Sequence, residues 1–390
     1  MRSRTLPGAV PSSGGENLRH PLTWGVEILP MLERLASYLR TLFGSRKLSQ
    51  GHGFLSVGDF ARVLEIERHR ADRSDAVFSL LVLTPRDAQF RETDCACLAT
   101  LLRRRLRITD QAGWLDGGRI GVLFPETPAV GAWTVADDVC LQFPQDVCPP
   151  ACKVLTYPSA QVPPDDNGGD SDAQTGATEK PTEAMEPLFL VKTPLAKRAV
   201  DVVGSLVGLL LLSPLMLTVA AIVKWTSPGP IFYTQLRSGQ GGKPFLIYKF
   251  RSMVVDADAR KAELMALNEQ DGPAFKLKND PRVTRIGRFI RKTSIDELPQ
   301  LWNVLRGEMS LVGPRAMYCP EVDNCSRWQR RRLDVRQGVT CIWQVRGRSS
   351  VSFDNWMRMD LEYIRERSLY RDVTLLAETV PAVLFRRGAC

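Results

Sequence analysis

Asp296 and Glu297 stand side by side in Lys292-Thr-Ser-Ile-Asp-Glu-Leu-Pro-Gln300, directly after a run of cations: Lys276, Lys278, Arg282, Arg285, Arg288, Arg291 and Lys292. Carboxylates in such a setting are expected to stay ionised at neutral pH, because nearby positive charge lowers their pKa. An ionised carboxylate suits a nucleophile or a metal ligand better than a general acid. The same residues also fit a local role. Ser294-x-x-Glu297 has the spacing of a helix capping box, with Asp296 favoured by the dipole of the first turn.

A basic run of this kind grips either nucleic acid or a phosphate ester. A carboxylate pair inside it would repel a nucleic-acid backbone, unless a divalent cation lay between them. One aromatic residue alone, Phe289, falls within residues 276–292, which counts against single-strand binding. Carboxylates, Mg²⁺ and Arg or Lys are the parts required when a phosphoryl group is attacked and its charge must be neutralised. Phosphoryl transfer is therefore the sharper expectation. The competing one is a membrane-attached signalling or nucleic-acid-binding protein, in which Asp296 would be dispensable.

Four segments carry a resemblance: Lys249-Phe-Arg-Ser-Met253, Asn279-Asp-Pro-Arg282, Thr293–Gln300 and Met309-Ser-Leu-Val-Gly-Pro-Arg315. In this order they resemble the bacterial sugar transferases, the monotopic polyprenyl-phosphate phosphoglycosyl transferases, over about residues 190–390. The resemblance implies that Asp296 is the nucleophile and that Glu297 holds Mg²⁺. It further implies a UDP-sugar donor, a polyprenyl phosphate acceptor and a site on the cytoplasmic face of the bacterial inner membrane. Lys249, Arg251, Arg282, Arg291 and Arg315 become the candidates to offset phosphate charge. Three residues depart from the family's usual pattern: Ala316 for a proline, and Gln337 and Cys341 for the Pro and second Gly of a turn. They put local loop geometry in question.

The elements that must position these residues follow from composition. The chain has 390 residues and a formal net charge of +9, enough length for two cored domains. The charge is uneven: +2 over residues 1–157, −6 over 158–188 and +13 over 189–390. Anionic lipid or phosphorylated substrates would be drawn to the last part. The nine cysteines lack zinc-like pairing. With no secretory leader in view, reduced cytosolic thiols are expected.

An α/β (α+β) fold is expected, in five parts. Residues 1–24 read as disordered. Within 25–53, residues 25–43 have apolar residues at roughly helical spacing, for packing, a partner or a membrane surface. Residues 54–157 read as a small α/β accessory domain. A helix at about 57–70 precedes the buried strand Val77–Leu83. A hairpin then turns at Asp116-Gly-Gly118. This arrangement weakly resembles a degenerate GGDEF-type domain. Arg119 and Ile120 stand in the region of that signature's acidic residues, so no cyclase activity is expected. Residues 158–188 read as a flexible acidic linker.

Within the last part, 189–390, residues 202–223 are long and apolar enough to span a bilayer. Pro214 sits near the middle, where it removes a helix hydrogen bond. Cations flank both ends (Lys197, Arg198 and Lys224), giving the positive-inside rule no asymmetry. A kinked spanning helix and a helix broken at Ser213-Pro214 that returns to the same face both fit; the resemblance implies the re-entrant form. Ser213 is placed to bond a carbonyl freed by the proline. Strands are expected at 231–235 and 245–250, an amphipathic helix at 255–268, and interfacial residues at 373–386. The basic cluster Trp328–Arg332 is expected to meet lipid headgroups. Trp343 either grips a ligand or packs on a strand. Whether the chain forms a homodimer is left open.

Overall fold

The computed structural model describes residues 53–86, 92–144, 148–159, 180–275, 277, 279–347 and 351–384. The expectations for residues 1–52, for Lys276 and Lys278, and for most of the acidic linker lie outside these.

The first domain is a three-layer α/β/α unit. Its sheet has the order β2-β3-β1-β4-β5, from β1 (Phe78–Thr84), β2 (Gln111–Leu115), β3 (Arg119–Phe124), β4 (Ala151–Tyr157) and β5 (Thr182–Ala184). All pairings are antiparallel except β4 with β5. Helix α1 (Val57–Ser74) covers one face, and α2 (Glu92–Arg105) and α3 (Ala129–Gln142) cover the other. The apolar run of β1 is thereby explained. Leu81 and Leu83 enter one core, while Phe78, Leu80 and Val82 enter the other. Gly113 and Gly121 pair across β2 and β3, and a Cβ on either would stand 2.5 Å from the Phe60 ring. The two glycines form the recess into which α1 packs. Part of the expected linker is ordered: β5 adds to the sheet, and Met185 is fully buried.

The second domain begins with α4 (Leu195–Thr226), a helix of 32 residues. At ~1.5 Å per residue it is about 48 Å long. The helix continues through Pro214, correcting the expected break. Pro214 deprives Leu210 of its helical donor, and the Ser213 hydroxyl donates to that oxygen at 2.8 Å. Both ends of α4 pack on the same domain. Near the start, Asp201 Oδ1 accepts from Ser310 Oγ and Leu311 N, each at 2.9 Å. Near the end, Val219 and Val223 join Phe250 and Ile290 in a small core. Between these anchors Leu210, Leu211 and Leu217 are exposed.

A hairpin follows, β6 (Phe232–Ser238) and β7 (Pro244–Phe250), turning through Gln240–Gly242. The helix expected over 255–268 is reduced to Lys261–Leu264 and a 3-10 turn at Met265–Leu267. Helix α5 (Arg285–Lys292) leads through Ser294 to a 3-10 turn at Ile295–Glu297, then to α6 (Gln300–Arg306). The short parallel pair β8 (Ser310–Val312) and β9 (Gly338–Thr340) closes behind them. Helices α7 (Phe353–Glu366) and α8 (Leu369–Leu384) complete the domain. Tyr370, Val373 and Val380 on α8 are exposed.

The Trp328–Arg332 cluster does not face outward as a headgroup patch. Arg331 contacts Glu65 and His69 of α1, and Arg327 lies 3.5 Å from Asp75. Arg68 of α1 makes a bidentate pair with Asp334, at 2.7 and 2.9 Å. These cations dock the accessory domain.

Candidate active site

Ser294 adopts φ +55°, an uncommon conformation for a residue with a Cβ. Its side chain makes no capping bond, so the capping box is absent. The 3-10 turn that follows, with about three residues per turn, sends the two adjacent carboxylates in different directions.

Glu297 turns toward two cations. Lys249 Nζ donates to Oε1 at 2.9 Å, and Arg315 engages both oxygens, with Nη1 to Oε2 at 3.1 Å. Burial works against the charge on Glu297, but Arg315 and Lys249 overcome it and hold the carboxyl well below its usual range. Asp296 is left without a hydrogen bond or ion pair among the described residues, although its surface is only 8% exposed. Burial, then the charge on Glu297, pushes Asp296 up to about 6, against the pull of Lys249, Arg291 and Arg315. The cationic run therefore does not depress both carboxylates. Its effect on Asp296 is overridden, and that residue titrates close to neutrality.

Asp296 lines a cavity of about 260 Å³ together with Lys249, Arg251, Arg282 and Arg291. The four cations differ in availability. Arg282 is neutralised by Asp280 (2.7 Å) and donates to the Ala257 oxygen, so it supports the loop. Lys249 is shared with Glu297. Arg251 is bound only to neutral groups, Ser227 O at 2.8 Å and Ser227 Oγ at 2.7 Å, and its Nη1 is buried without a partner. Arg291, on the last turn of α5, is exposed and forms no ion pair among the described residues. Arg315, like the Glu297 it holds, is not among the residues that line the cavity.

Arg237, Tyr233 and Tyr318 also line this cavity, and sequence reasoning missed all three. Arg237 is an isolated cation on β6, 12 residues before the Lys249–Met253 segment. It donates to Ala316 O at 3.2 Å, while its Nε is buried without a partner. Tyr318 lies under the Lys261 ammonium, 4.9 Å from ring centroid to Nζ. The signal available was strand alternation, which puts Tyr233, Gln235 and Arg237 on one face of β6.

The site is held from behind. Asn303, fully buried, donates to Leu246 O at 2.7 Å and accepts from Tyr248 N at 3.1 Å, fixing β7 beside Lys249. The three unusual residues leave the loops closed. Ala316 is buried, Gln337 Nε2 donates to Arg332 O and Val335 O, and Cys341 Sγ bonds Gln344. Trp343 lies on a short helix, 4.6 Å from Trp356, and is a packing residue.

Residues 192–386 match the bacterial sugar transferase family. The chain belongs to that family. The galactosyl transferase CpsE of Streptococcus agalactiae is 42% identical over 196 residues, 50% of this chain and 43% of that protein. The exopolysaccharide production protein ExoY of Rhizobium meliloti is 41% identical over 199 residues, 50% of this chain and 88% of that protein. The UDP-glucose:undecaprenyl-phosphate glucose-1-phosphate transferase of Caulobacter vibrioides is 41% identical over 208 residues, covering 51% and 73%. The sugar transferase domain thus spans most of ExoY but under half of CpsE. The GGDEF domain of PA1120 from Pseudomonas aeruginosa, 18% identical over 28% of this chain and 75% of that one, gives a TM-score of 0.24. That likeness is too slight to bear on the accessory domain.

No cluster of three or more His, Cys, Asp or Glu side chains exists among the described residues of the sugar transferase. Both oxygens of Glu297 already accept from cations. As arranged, these side chains do not fit a resident metal ion.

Proposed function

We propose that this protein transfers a sugar phosphate from a UDP-sugar to a polyprenyl phosphate, at the cytoplasmic face of a bacterial inner membrane, initiating an exopolysaccharide or related glycan. The observation that carries the reading is Asp296: a buried carboxylate, unpaired among the described residues, facing a cavity ringed by cations. An unpaired buried charge is costly, and here it is left available for attack.

In the first step an Asp296 oxygen attacks the sugar-bearing phosphorus. The bond from that phosphorus to the bridging oxygen breaks, and UMP leaves with the electron pair. In the second step a phosphate oxygen of the lipid attacks the aspartyl phosphosugar. The acyl phosphate bond breaks, Asp296 is regenerated, and the lipid carries a diphosphate-linked sugar. Splitting the displacement lets two unlike anionic substrates use one cavity in turn. Lys249, Arg237, Arg251 and Arg291 offset the charge of the phosphates, and Arg315 keeps Glu297 ionised beside them. Mg²⁺ enters this reading as the counterion of the donor diphosphate, which supplies most of its ligands. No step is assigned to it.

The membrane reading rests on α4. Its apolar middle is exposed and residues near both ends pack on one domain, so entry and return on the same side requires α4 to bend at Pro214 without leaving the helix. Exposed Arg285, Arg288 and Lys292 on α5, with exposed Phe289, suit an anionic surface beside it. The reading is tested by supplying membranes with a panel of UDP-sugars and polyprenyl phosphate. UMP release that requires one sugar and Asp296 supports it; no release with any sugar overturns it.

A further inference from the structure

A second cavity, of about 560 Å³, lies between the two domains, away from Asp296. Its walls come from α1 (Glu65, His69), the connection into the second domain (Phe189, Val191), the docking segment (Trp328, Arg331, Asp334) and α7. Arg358, Leu361 and Arg365 lie three and seven residues apart, so they share one helical face and turn it toward the cavity.

The charge there is one-sided. The two carboxylates in the walls are already matched, Asp334 by Arg68 and Glu65 by Arg331. Arg358, Arg365 and Arg367 form no ion pair among the described residues, and Arg367 donates only to its own helix at Ile364 O. Three cations therefore line a space whose remaining walls, beside the matched charges, are His69, Phe189, Val191, Trp328, Leu361 and Ile364. The volume is that of a small-molecule site, and the mixture of apolar rings with a few polar groups is typical of one. Arginine forks suit phosphate oxygens, and the rings suit a flat base.

We propose that this interdomain cavity binds a nucleotide, its phosphates on Arg358, Arg365 and Arg367 and its base against Trp328 and Phe189. Because α1 supplies one wall and α7 another, the ligand bridges the accessory domain to the transferase. It would sit against Asp334, whose main-chain oxygen also accepts from Val191 N at 2.8 Å and from Gln240 Nε2 at 2.9 Å.

Equilibrium dialysis of radiolabelled ATP and GTP against the detergent-solubilised full chain tests this. Saturable binding of at least one of them is expected, near one per chain. It should weaken at least tenfold in Arg358→Glu/Arg365→Glu, two exposed positions whose change leaves the core intact, and persist in Lys249→Met. Three results would overturn the proposal: no saturable binding of either nucleotide, binding lost in Lys249→Met but kept in the arginine pair, or saturation seen only with phosphatidylglycerol vesicles. The second would place the nucleotide in the catalytic cavity; the third would make the site one for lipid headgroups.

Discussion

Arg332 Nη2 donates to the main-chain oxygen of Arg315 at 2.6 Å, while the same guanidinium grips Asp360 at 2.6 and 2.9 Å. Arg332 is 1% exposed and Asp360 1%. Arg315 in turn holds Glu297, so the backbone behind the site is tied to a buried ion pair. Losing one partner of such a pair costs about 3–5 kcal/mol, whereas replacing both with apolar residues is often near neutral.

That contrast separates support from stability. Arg332→Met alone should lower thermal stability strongly. Arg332→Met/Asp360→Leu should recover most of it, yet transfer should stay reduced about tenfold or more, because Arg315 O has lost its donor. Calorimetry with kcat and KM for the UDP-sugar checks this. Full activity in the stable double variant would reduce Arg332 to a packing residue.

Activity should depend on the charge of Asp296. A nucleophile must be deprotonated, so kcat/KM should fall as pH drops through about 6 and level off above it. Glu297→Gln removes the neighbouring negative charge and frees two cations, both of which favour ionised Asp296. The acidic limb of the residual activity should then move to lower pH. A limb that stays in place would show that another group controls it.

The same geometry makes Asp296 costly to the fold. Its folded pKa is raised above the ordinary value of 3.8, so the protonated form is the better accommodated one and the ionised form lowers stability above about pH 4. Each tenfold change in proton affinity is worth about 1.4 kcal/mol. Asp296→Asn should therefore raise stability at pH 7 by about 1–3 kcal/mol while abolishing turnover. A destabilised Asn variant would show that the carboxylate has a structural partner.

Membrane entry makes a separate prediction. Lys192→Cys and Lys224→Cys flank the apolar part of α4. In intact cells a membrane-impermeant thiol reagent applied from outside should reach neither, and both should react after permeabilisation. One accessible and one protected site would establish a spanning helix.

Much of this was legible in the sequence. The continuous apolar run of β1 announced a strand buried on both faces, and Asp116-Gly-Gly118 announced the hairpin of β2 and β3. Asp296 and Glu297 stood out by their company. What could not be read was how that company divides. Lys249 and Arg315 come from 48 residues before and 18 after to converge on Glu297, and nothing local shows that Asp296 is left bare. Arg282 looked free because proximity to Asp280 does not reveal a bidentate pair. The cations at 328–332 looked like a lipid patch because their acidic partners are distant in sequence: Arg331 reaches Glu65 on α1, 266 residues earlier, and Arg332 grips Asp360, 28 residues later. Pro214 looked like a break because the resemblance implied one, although the Ser213 bond that lets the helix run on was itself legible.

The most direct test is to withhold the lipid acceptor. Wild-type protein given UDP-sugar labelled in the sugar and its attached phosphate should retain that label covalently, releasing UMP in matching amount, and Asp296→Asn should retain none. Adding polyprenyl phosphate should then discharge the label into lipid. Label held equally by the Asp296→Asn protein, or lipid product formed with no labelled protein before it, would contradict the account.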